Sequence, residues 1–302
     1  MLSFKHKVFL AVANHLSFTK ASNELFISQP AITKNIQQLE EHYKTSLFER
    51  RGSVIKLTEA GKLVVEYLTK AMTLEKSLEF EINTQRDVFQ AKGELKLGAS
   101  TTVALYIVPP VLSGFRKKYS GISLSLVNRN TENVLKALLD HEIDLGIVEG
   151  QHKMSMVHSQ NFLIDEVVPV CSVHSYLAKK GKLSISDLSQ VPIALRERGS
   201  GTLAVLKHAL SKHGIKMSSL QISIRLGGTE ALKNFVLADE SMGFLSMRAI
   251  TKELAAGELV RLYIDGLTIT RQFYFIQRHG EENHGLNAAF IKFAKSHYNI
   301  KL

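Results

Sequence analysis

The chain contains very little cysteine and no long hydrophobic run. Its 302 residues include a single cysteine, Cys171, which excludes an intramolecular disulfide. No apolar stretch approaches the roughly eighteen residues that can span a bilayer. The N-terminal segment also lacks the apolar core of a signal peptide. We therefore expect a cytoplasmic protein with no membrane contact.

Signatures of catalysis and metal binding are missing as well. The sequence has no GxSxG, P-loop or dinucleotide-binding motif, and its twelve histidines include no pair at the spacing of a zinc-binding helix. No paired carboxylates or nucleophile–base arrangement stands out. Cys171 lies in an apolar run, where a buried inert thiol is the default interpretation and a nucleophile the alternative. We expect no metal, no cofactor and no enzymatic activity.

The net charge of the chain bears on its partner, and its length bears on the number of hydrophobic cores. A net charge of +10 with a pI near 9.5 suits a polyanionic partner, although many enzymes share this excess. Hydrophobic residues make up 45% of the chain and charged residues 22%, as in a soluble globular protein. At this length the chain can bury two or more cores.

The segment from residue 17 to residue 58 predicts two short helices joined by a tight turn and followed by a hairpin. Ser17 is placed to cap the first helix, because its hydroxyl can accept an unpaired backbone N–H. Phe26 and Ile27 form the turn, and Ser28 caps the second helix. Pro30 is tolerated in the first helical turn, where the N–H that it lacks has no partner.

The second helix has two distinct faces. Gln29, Thr33 and Gln37 share one face with Lys34 beside them, and such side chains read base edges or phosphates in a major groove. An ordinary solvated helix face is the alternative. The opposite face predicts a small core, formed by Ile32, Ile36, Leu39 and Tyr43.

The run at residues 48–58 places a glycine turn between cations. Arg50 and Arg51 precede Gly52, and Lys56 follows it. This pattern is typical of a β-wing laid on a phosphate backbone.

Four short motifs now carry a family resemblance: Ser-Gln-Pro-Ala-Ile-Thr at 28–33, Leu-Glu at 39–40, Leu-Phe-Glu-Arg at 47–50 and Leu-Thr-x-Ala-Gly at 57–61. Together they resemble the winged helix-turn-helix of LysR-type transcriptional regulators. The resemblance implies a DNA reader, a long linker helix and an effector-sensing domain, in that order. The DNA-binding residues predicted are Ser28, Gln29, Pro30, Thr33, Lys34, Gln37, Arg50, Arg51 and Lys56. Gln29, Thr33 and Lys34 are expected at bases, and the wing cations at the backbone.

A helix is predicted over 3–14, and a long one begins at Glu59. Its apolar residues follow a heptad seam, with a skip at the end: Ala60, Val64, Tyr67, Ala71, Leu74, Leu78 and Ile82. The alternatives are a dimerising coiled coil and a helix packed on its own domain. We favour the dimer, which would present two readers to half-sites about one turn of DNA apart.

Beyond a predicted hinge at residues 90–93, strands and helices alternate, which favours a mainly parallel sheet with helices on both faces. The second α/β unit is expected to start near Val167, and the chain to return near residue 268. The predicted domains are a winged helix-turn-helix at 1–58, a linker helix at 59–90 and an effector domain at 91–302. Lobe 1 takes 91–165 and 268–302, and lobe 2 takes 166–267. The fold class is thus a winged helix-turn-helix with a long linker helix, followed by a two-lobed, periplasmic-binding-protein-like α/β domain.

Three loops can hold an anion between the lobes, because each precedes a helix N-terminus with hydroxyls, cations or glycines. Gly-Ser-Gly before a helix can equally be a capped turn. In the resembling family, loops at these positions contact the inducer. The predicted effector-binding residues are Ser100, Thr101, Thr102, Asn130, Thr131, Arg196, Gly199, Ser200, Gly201 and Thr202.

The favoured function is a ligand-responsive DNA-binding regulator. The alternatives are a solute-binding protein whose N-terminal part merely oligomerises it, and an enzyme that uses the cleft. Expected partners are double-stranded DNA, a small anionic effector and a second copy of the chain. A homotetramer and contact with RNA polymerase follow from the resemblance alone.

Overall fold

The computed structural model describes residues 2–51, 54–86, 91–150, 155–282 and 284–299, with the backbone only of residues 50, 51, 85 and 86. The predicted wing glycine, Gly52, lies outside these ranges, as does Gln90 of the predicted hinge. The chain divides into two compact units, Met1–Ile82 and Asn83–Leu302. Among the described helices, none is both long and apolar enough to cross a membrane.

The first unit contains three short helices, a hairpin and a long helix. They are α1 (Phe4–His15), α2 (Phe18–Leu25), α3 (Gln29–Tyr43), β1 (Phe48–Arg51), β2 (Val54–Leu57) and α4 (Glu59–Arg86). Strands β1 and β2 pair antiparallel. The predicted reader and linker helix are therefore present in the predicted order.

Both predicted caps in this unit are confirmed. The Ser17 hydroxyl accepts from the N–H of Lys20, and the Ser28 hydroxyl accepts from the N–H of Ala31. The predicted burial of Ile32, Ile36 and Leu39 is also confirmed. Tyr43 was wrongly assigned to the core: it ends α3 and is 40% exposed, because the helix there has passed beyond the elements that cover its apolar face.

The Leu-Thr-x-Ala-Gly motif joins the wing to α4. The Thr58 hydroxyl accepts from the N–H of Gly61 at 3.0 Å and donates to the carbonyl of Ser46 at 2.7 Å. A Cβ at Gly61 would lie 2.1 Å from the carbonyl oxygen of Leu47. Only glycine permits this close approach, which explains the motif sterically.

The N-terminal half of helix α4, as far as Met72, packs on the core of its own unit. Ala60 and Val64, in its first turns, pack against the core of the first unit. Further along, Leu74 is 63% exposed and Leu78 is 58% exposed. A helix of 28 residues is about 42 Å long. Four of the seven seam residues, Tyr67, Leu74, Leu78 and Ile82, are therefore exposed in the described part of the chain.

The second unit is an α/β domain. Its larger strands are β3 (Gly93–Ser100), β4 (Ile122–Arg129), β5 (Leu145–Gly150), β6 (His158–Ser172), β8 (Ile193–Arg196), β9 (Ile222–Leu226), β10 (Met242–Ser246) and β13 (Ile269–Gln277). The shorter ones are β7 (Lys182–Leu183), β11 (Leu259–Arg261) and β12 (Tyr263–Ile264). The helices are α5 (Thr101–Tyr106), α6 (Val108–Lys118), α7 (Thr131–Leu139), α8 (Tyr176–Lys180), α9 (Gly201–Lys212), α10 (Thr229–Ala238), α11 (Met247–Ala255) and α12 (Gly285–His297).

Within the described ranges, nine strands form one mixed sheet in the order β4-β3-β5-β13-β6-β10-β8-β9, with β11 also paired to β6. Pairs β3–β4, β3–β5, β8–β10 and β8–β9 are parallel, as the alternating pattern predicts. The central strands β6 and β13 run antiparallel to each other and to their other neighbours. They connect the two lobes, one carrying the chain out and the other carrying it back.

Strand β6 begins at His158, nine residues before the apolar run at Val167, and the expected start of the second α/β unit near Val167 stays a prediction. The first part of the strand is polar and only partly buried, and the sequence shows no continuous apolar run there. Its pairing with β13 extends from His158 to Val167 and stabilises the strand without a buried face on both sides. Backbone pairing has outweighed the weak hydrophobic pattern.

Candidate DNA-binding face and effector cleft

The outer face of α3 is a polar groove. Its volume is about 610 Å³, and it is lined by Gln29, Pro30, Thr33, Lys34 and Gln37. All except the half-buried Thr33 are exposed. The Thr33 hydroxyl donates to the carbonyl of Gln29 at 3.1 Å. The structure thus brings five of the nine predicted DNA-binding residues together on one surface, beside Ser28 at the helix start.

The predicted wing cations are only partly described. The side chains of Arg50 and Arg51 lie outside the described residues. Lys56 lies on β2 with its side chain exposed. Its backbone is paired with Glu49 across the hairpin. These three residues stay predictions.

A carboxylate fixes the recognition helix to the wing. Glu40, on α3, accepts the backbone N–H of Leu47 at 2.7 Å and that of Phe48 at 3.2 Å. Phe48 in turn packs its ring 5.3 Å from that of Phe9. The polar face of α3 and the start of the hairpin are therefore held in a fixed relation.

The loop before α5 is buried deep in the second unit. Ser100 is fully buried, and within the described part of the chain its hydroxyl has no hydrogen-bond partner. Thr102 is also buried, and its hydroxyl accepts from Nη2 of Arg271 at 3.2 Å. The Thr101 hydroxyl accepts from Nη2 of Arg196 at 3.0 Å.

The loops before α7 and α9 touch each other. Asn130 caps α7 through the N–H of Asn133, and its amide donates to the carbonyl of Arg198 at 3.4 Å. The hydroxyl of Thr131 is buried, with no hydrogen-bond partner among the described residues. The N–H of Glu132 donates to the carbonyl of Gly199 at 3.3 Å. These contacts bring two of the three predicted loops together.

Glycines make the close approach of these loops sterically feasible. Gly199 has a φ of +85°, and a Cβ there would lie 2.7 Å from Oε2 of Glu132. A Cβ at Gly201 would lie 2.1 Å from Cγ of Glu149. Between them, Ser200 caps α9 through the N–H of Leu203. The Gly-Ser-Gly run therefore acts as a capped turn and also as a contact between the lobes.

The guanidinium of Arg196 is engaged by protein groups. It is buried and forms a double hydrogen bond with Glu197, from Nε at 2.7 Å and from Nη2 at 2.9 Å. Nη1 donates to Thr229 at 2.9 Å. Burial opposes ionisation of Glu197, but the hydrogen bonds and charge of Arg196 outweigh it and lower the pKa of that carboxyl. Arg196 is thus less available to an anion than its sequence position suggests, and it stays a prediction.

A buried ion cluster that the sequence prediction missed lies beside these loops. Arg271, on β13, has a fully buried guanidinium that bonds Oε1 of Glu149 at 3.2 Å and Oδ2 of Asp165 at 2.8 Å. It also donates to the Thr202 hydroxyl at 2.7 Å. Ser246 completes the cluster by donating to Asp165. The available signal was a single charge in each of the mostly apolar strands β5 and β13, and an adjacent acidic pair, Asp165 and Glu166, in β6.

The electrostatics of the cleft are nearly balanced. Glu149, Asp165 and Glu197 carry negative charge, and Arg196 and Arg271 carry positive charge, with Arg248 3.8 Å from Asp165. One oxygen of Glu149, Oε2, has no hydrogen-bond partner among the described residues. An anion placed here would have to be held mainly by hydroxyls and helix N–H groups, because the site carries little excess positive charge.

Cys171 takes no part in either surface. It is fully buried in β6, as predicted, and burial raises the pKa of its thiol to about 11. Because the thiolate is the reactive form, this environment suits an inert side chain.

Known proteins resemble the chain along its whole length. The HTH-type transcriptional regulator CysL of Bacillus subtilis is 30% identical over 98% of this chain and 97% of its own. The RuBisCO operon transcriptional regulator of Allochromatium vinosum is 30% identical over 96% of this chain and 94% of its own.

Solved structures of regulators also resemble this chain. The Synechocystis PCC6803 CcmR regulatory domain in complex with 2-PG has a TM-score of 0.61 at 27% identity, over 68% of this chain and 97% of that one. A cysteine variant of full-length OxyR from Pseudomonas aeruginosa has a TM-score of 0.71 at 14% identity, over 98% and 95% of the two chains, and so shares the fold.

Two family models divide the chain between them. Residues 5–62 match the bacterial regulatory helix-turn-helix protein, lysR family. Residues 90–299 match the LysR substrate binding domain. These matches cover both the reader and the two-lobed domain, so a solute-binding protein without DNA function is not favoured. The chain belongs to the LysR family of DNA-binding transcriptional regulators.

Proposed function

We propose that this regulator reads duplex DNA with the outer face of α3 in the major groove and the wing along the adjacent backbone. Gln29, Thr33 and Lys34 contact bases, Ser28, Pro30 and Gln37 lie at bases or phosphates, and Arg50, Arg51 and Lys56 contact phosphates. The observation that carries the proposal is the two-sided α3, whose polar face is exposed while Ile32 and Ile36 are buried behind it. Donors and acceptors on such a face match the base edges of a major groove.

We further propose that α4 dimerises the protein. Four of its apolar residues are exposed and recur at heptad-like spacing: Tyr67, Leu74, Leu78 and Ile82. A second copy of α4 would remove this surface from water. A dimer presents two α3 helices to two half-sites. We therefore place the domain boundaries at residues 58 and 90, between the DNA reader, the dimerising helix and the effector domain. Pairing of effector domains would extend the dimer to a tetramer.

The effector site that we propose is the cleft between the two lobes. Its ligand is a small anion that bonds the loops at 100–102, 130–131 and 199–202. The buried hydroxyls of Ser100 and Thr131, which have no partner among the described residues, support this position. The structure of the CcmR regulatory domain was solved with 2-PG, which supports an anionic class. No catalytic step is proposed for the cleft.

Effector binding acts in this proposal by changing the contact between the lobes. The hydrogen bonds from Glu132 and Asn130 to the 198–199 backbone join the two lobes directly. A ligand can shift this arrangement only through its differential affinity for the closed and open forms. The altered lobe geometry would change how effector domains pair, and so the spacing of readers on DNA and the contact with RNA polymerase in the cytoplasm.

A gel shift with DNA from upstream of the protein's own locus tests the DNA half of the proposal. Lys34→Ala is expected to weaken binding by about 1–3 kcal/mol and to relax specificity at one position. Lys56→Ala is expected to weaken binding evenly across sequences and to reduce the salt slope by about one. Unchanged binding and salt dependence in Lys34→Ala would contradict the assignment of α3.

The effector half is tested with the full chain and a panel of phosphorylated and carboxylated metabolites in a thermal-shift assay. A binder should raise the melting temperature of the wild type and raise it less in Ser100→Ala, because that variant loses a hydroxyl in the cleft. Ser211→Ala is the matched control, since it removes an exposed hydroxyl from the C-terminal end of α9, away from the predicted loops. No shift with any anion in the panel would contradict the proposed ligand class.

A further inference from the structure

Phe26 is the most exposed large hydrophobic residue in the described part of the chain. Its side chain is 94% exposed, at the turn between α2 and α3. Its backbone is left-handed, with φ of +53°. Left-handed geometry is costly for a residue with a Cβ, and glycine or asparagine is the usual choice at such a helix end. Both the side chain and the backbone of Phe26 are therefore unfavourable in the unbound protein.

The turn itself does not require the ring. The N–H of Phe26 bonds the carbonyl of Ser22, and so does the N–H of Ile27 at 3.2 Å. These bonds close the end of α2 through backbone atoms alone. Ile27, the next residue, packs against the core and anchors the turn. Phe26 thus projects from a well-fixed backbone and contributes little to the packing of its own domain.

The position of Phe26 connects it to the α3 groove. It precedes the cap residue Ser28 by two positions, and Gln29 and Pro30 follow at the start of the groove. Phe26 is not among the residues that line the groove, but at most about 10 Å of chain separates it from Gln29, so its exposed ring is within reach of that end of the groove. The apolar group that B-DNA presents in its major groove is the 5-methyl of thymine, which phenylalanine side chains contact in known readout.

We propose that Phe26 is a DNA-contacting residue, packing its ring against a thymine methyl at the edge of the major groove. The inference rests on the proposed placement of α3 in that groove. Binding would bury an apolar ring that is costly to expose, and the fixed turn would let this happen with little loss of backbone entropy. Phe26 would then add sequence preference that the polar contacts of α3 do not supply.

The test begins with Phe26→Asn, which keeps a residue suited to left-handed geometry and removes the ring. Its melting temperature should equal or exceed that of the wild type, while its affinity for the upstream duplex falls about tenfold, as expected for partial burial of a phenylalanine. The salt slope should stay unchanged, because no phosphate contact is lost. The matched control is Leu16→Asn, at the left-handed end of α1, where the side chain is 45% exposed. It should keep wild-type affinity.

The second arm replaces thymine by uracil throughout the same duplex. Loss of one contacted methyl should weaken wild-type binding about fourfold more than it weakens Phe26→Asn binding. An affinity of Phe26→Asn equal to that of the wild type, or an equal uracil penalty in both proteins, would overturn the inference. Lys34→Ala separates failure of the Phe26 contact from failure of the α3 placement. A loss of DNA affinity in Lys34→Ala with none in Phe26→Asn refutes the Phe26 contact alone. No loss of affinity in either variant refutes the placement of α3.

Discussion

Removing the guanidinium of Arg271 should strongly destabilise the effector domain. In Arg271→Ala, Glu149 and Asp165 would face each other's charge in a buried site without a cation between them. Breaking a buried pair by removing one partner costs about 3–5 kcal/mol, because a buried charge is left uncompensated. The Thr102 and Thr202 hydroxyls would lose a donor as well, so we expect a value at the upper end of that range.

Arg261→Ala provides a matched control. Arg261 also lies on a strand paired with β6 and forms an ion pair with Glu166, the residue next to Asp165. Both partners are about one-third exposed, so solvent screens the pair and its loss should cost about 0–1 kcal/mol. The two variants thus differ in burial while the chemistry of the pair is the same.

Urea denaturation of the full chain, followed by far-UV circular dichroism, measures both effects. Arg271→Ala should lower the urea midpoint at neutral pH by far more than Arg261→Ala does, because only the first variant leaves buried carboxylates without a cation between them. Equal losses in Arg271→Ala and Arg261→Ala at neutral pH would refute the reasoning.

Three further predictions concern other parts of the chain. Glu40→Ala should lower the stability of the first unit by about 1.5–3 kcal/mol, because two backbone N–H groups lose a charged acceptor; its melting curve, with exposed Glu41→Ala as control, checks this. Native Cys171 should resist iodoacetamide at about pH 8 and react after unfolding. The pKa of the Cys171 thiol in the folded protein, about 11, exceeds the ordinary value of 9.0. The protonated thiol therefore contributes fully to the stability of the fold below pH 9, and this contribution is lost as the pH rises towards 11. Comparing the pH dependence of stability with that of Cys171→Ala measures the effect. Leu74→Glu should shift the protein towards monomer in analytical ultracentrifugation; an unchanged mass would contradict the α4 dimer.

Local chemistry made much of the fold predictable. The caps at Ser17 and Ser28 follow from short-range hydrogen bonding, and the restart of a helix at Val108 follows from the two prolines after it. The alternation of strands and helices predicted the parallel pairs. The central antiparallel pair could not be assigned in the same way, because the orientation of β6 and β13 depends on contacts about a hundred residues apart along the chain.

The two candidate sites also differ in how far the sequence alone could predict them. The groove of α3 lies on one helix, so periodicity alone groups its residues. Arg271 lies more than a hundred residues after Glu149 and Asp165 in the sequence, and the three residues belong to three different strands. No spacing pattern in the sequence groups them. Their side chains meet only because β13 lies between β5 and β6 in the sheet.

The long pairing of β6 with β13, which has one irregularity between Gln272 and Tyr274, has a mechanical consequence. Two lobes joined by separate flexible linkers could open widely, whereas a hydrogen-bonded ribbon resists bending across its width and yields more readily to twist. Cleft motion in this protein should therefore resemble a small torsion about the ribbon axis. Amides of this ribbon should exchange slowly with deuterium whether the cleft is empty or filled, while the loop amides at 199–202 should change their exchange rate.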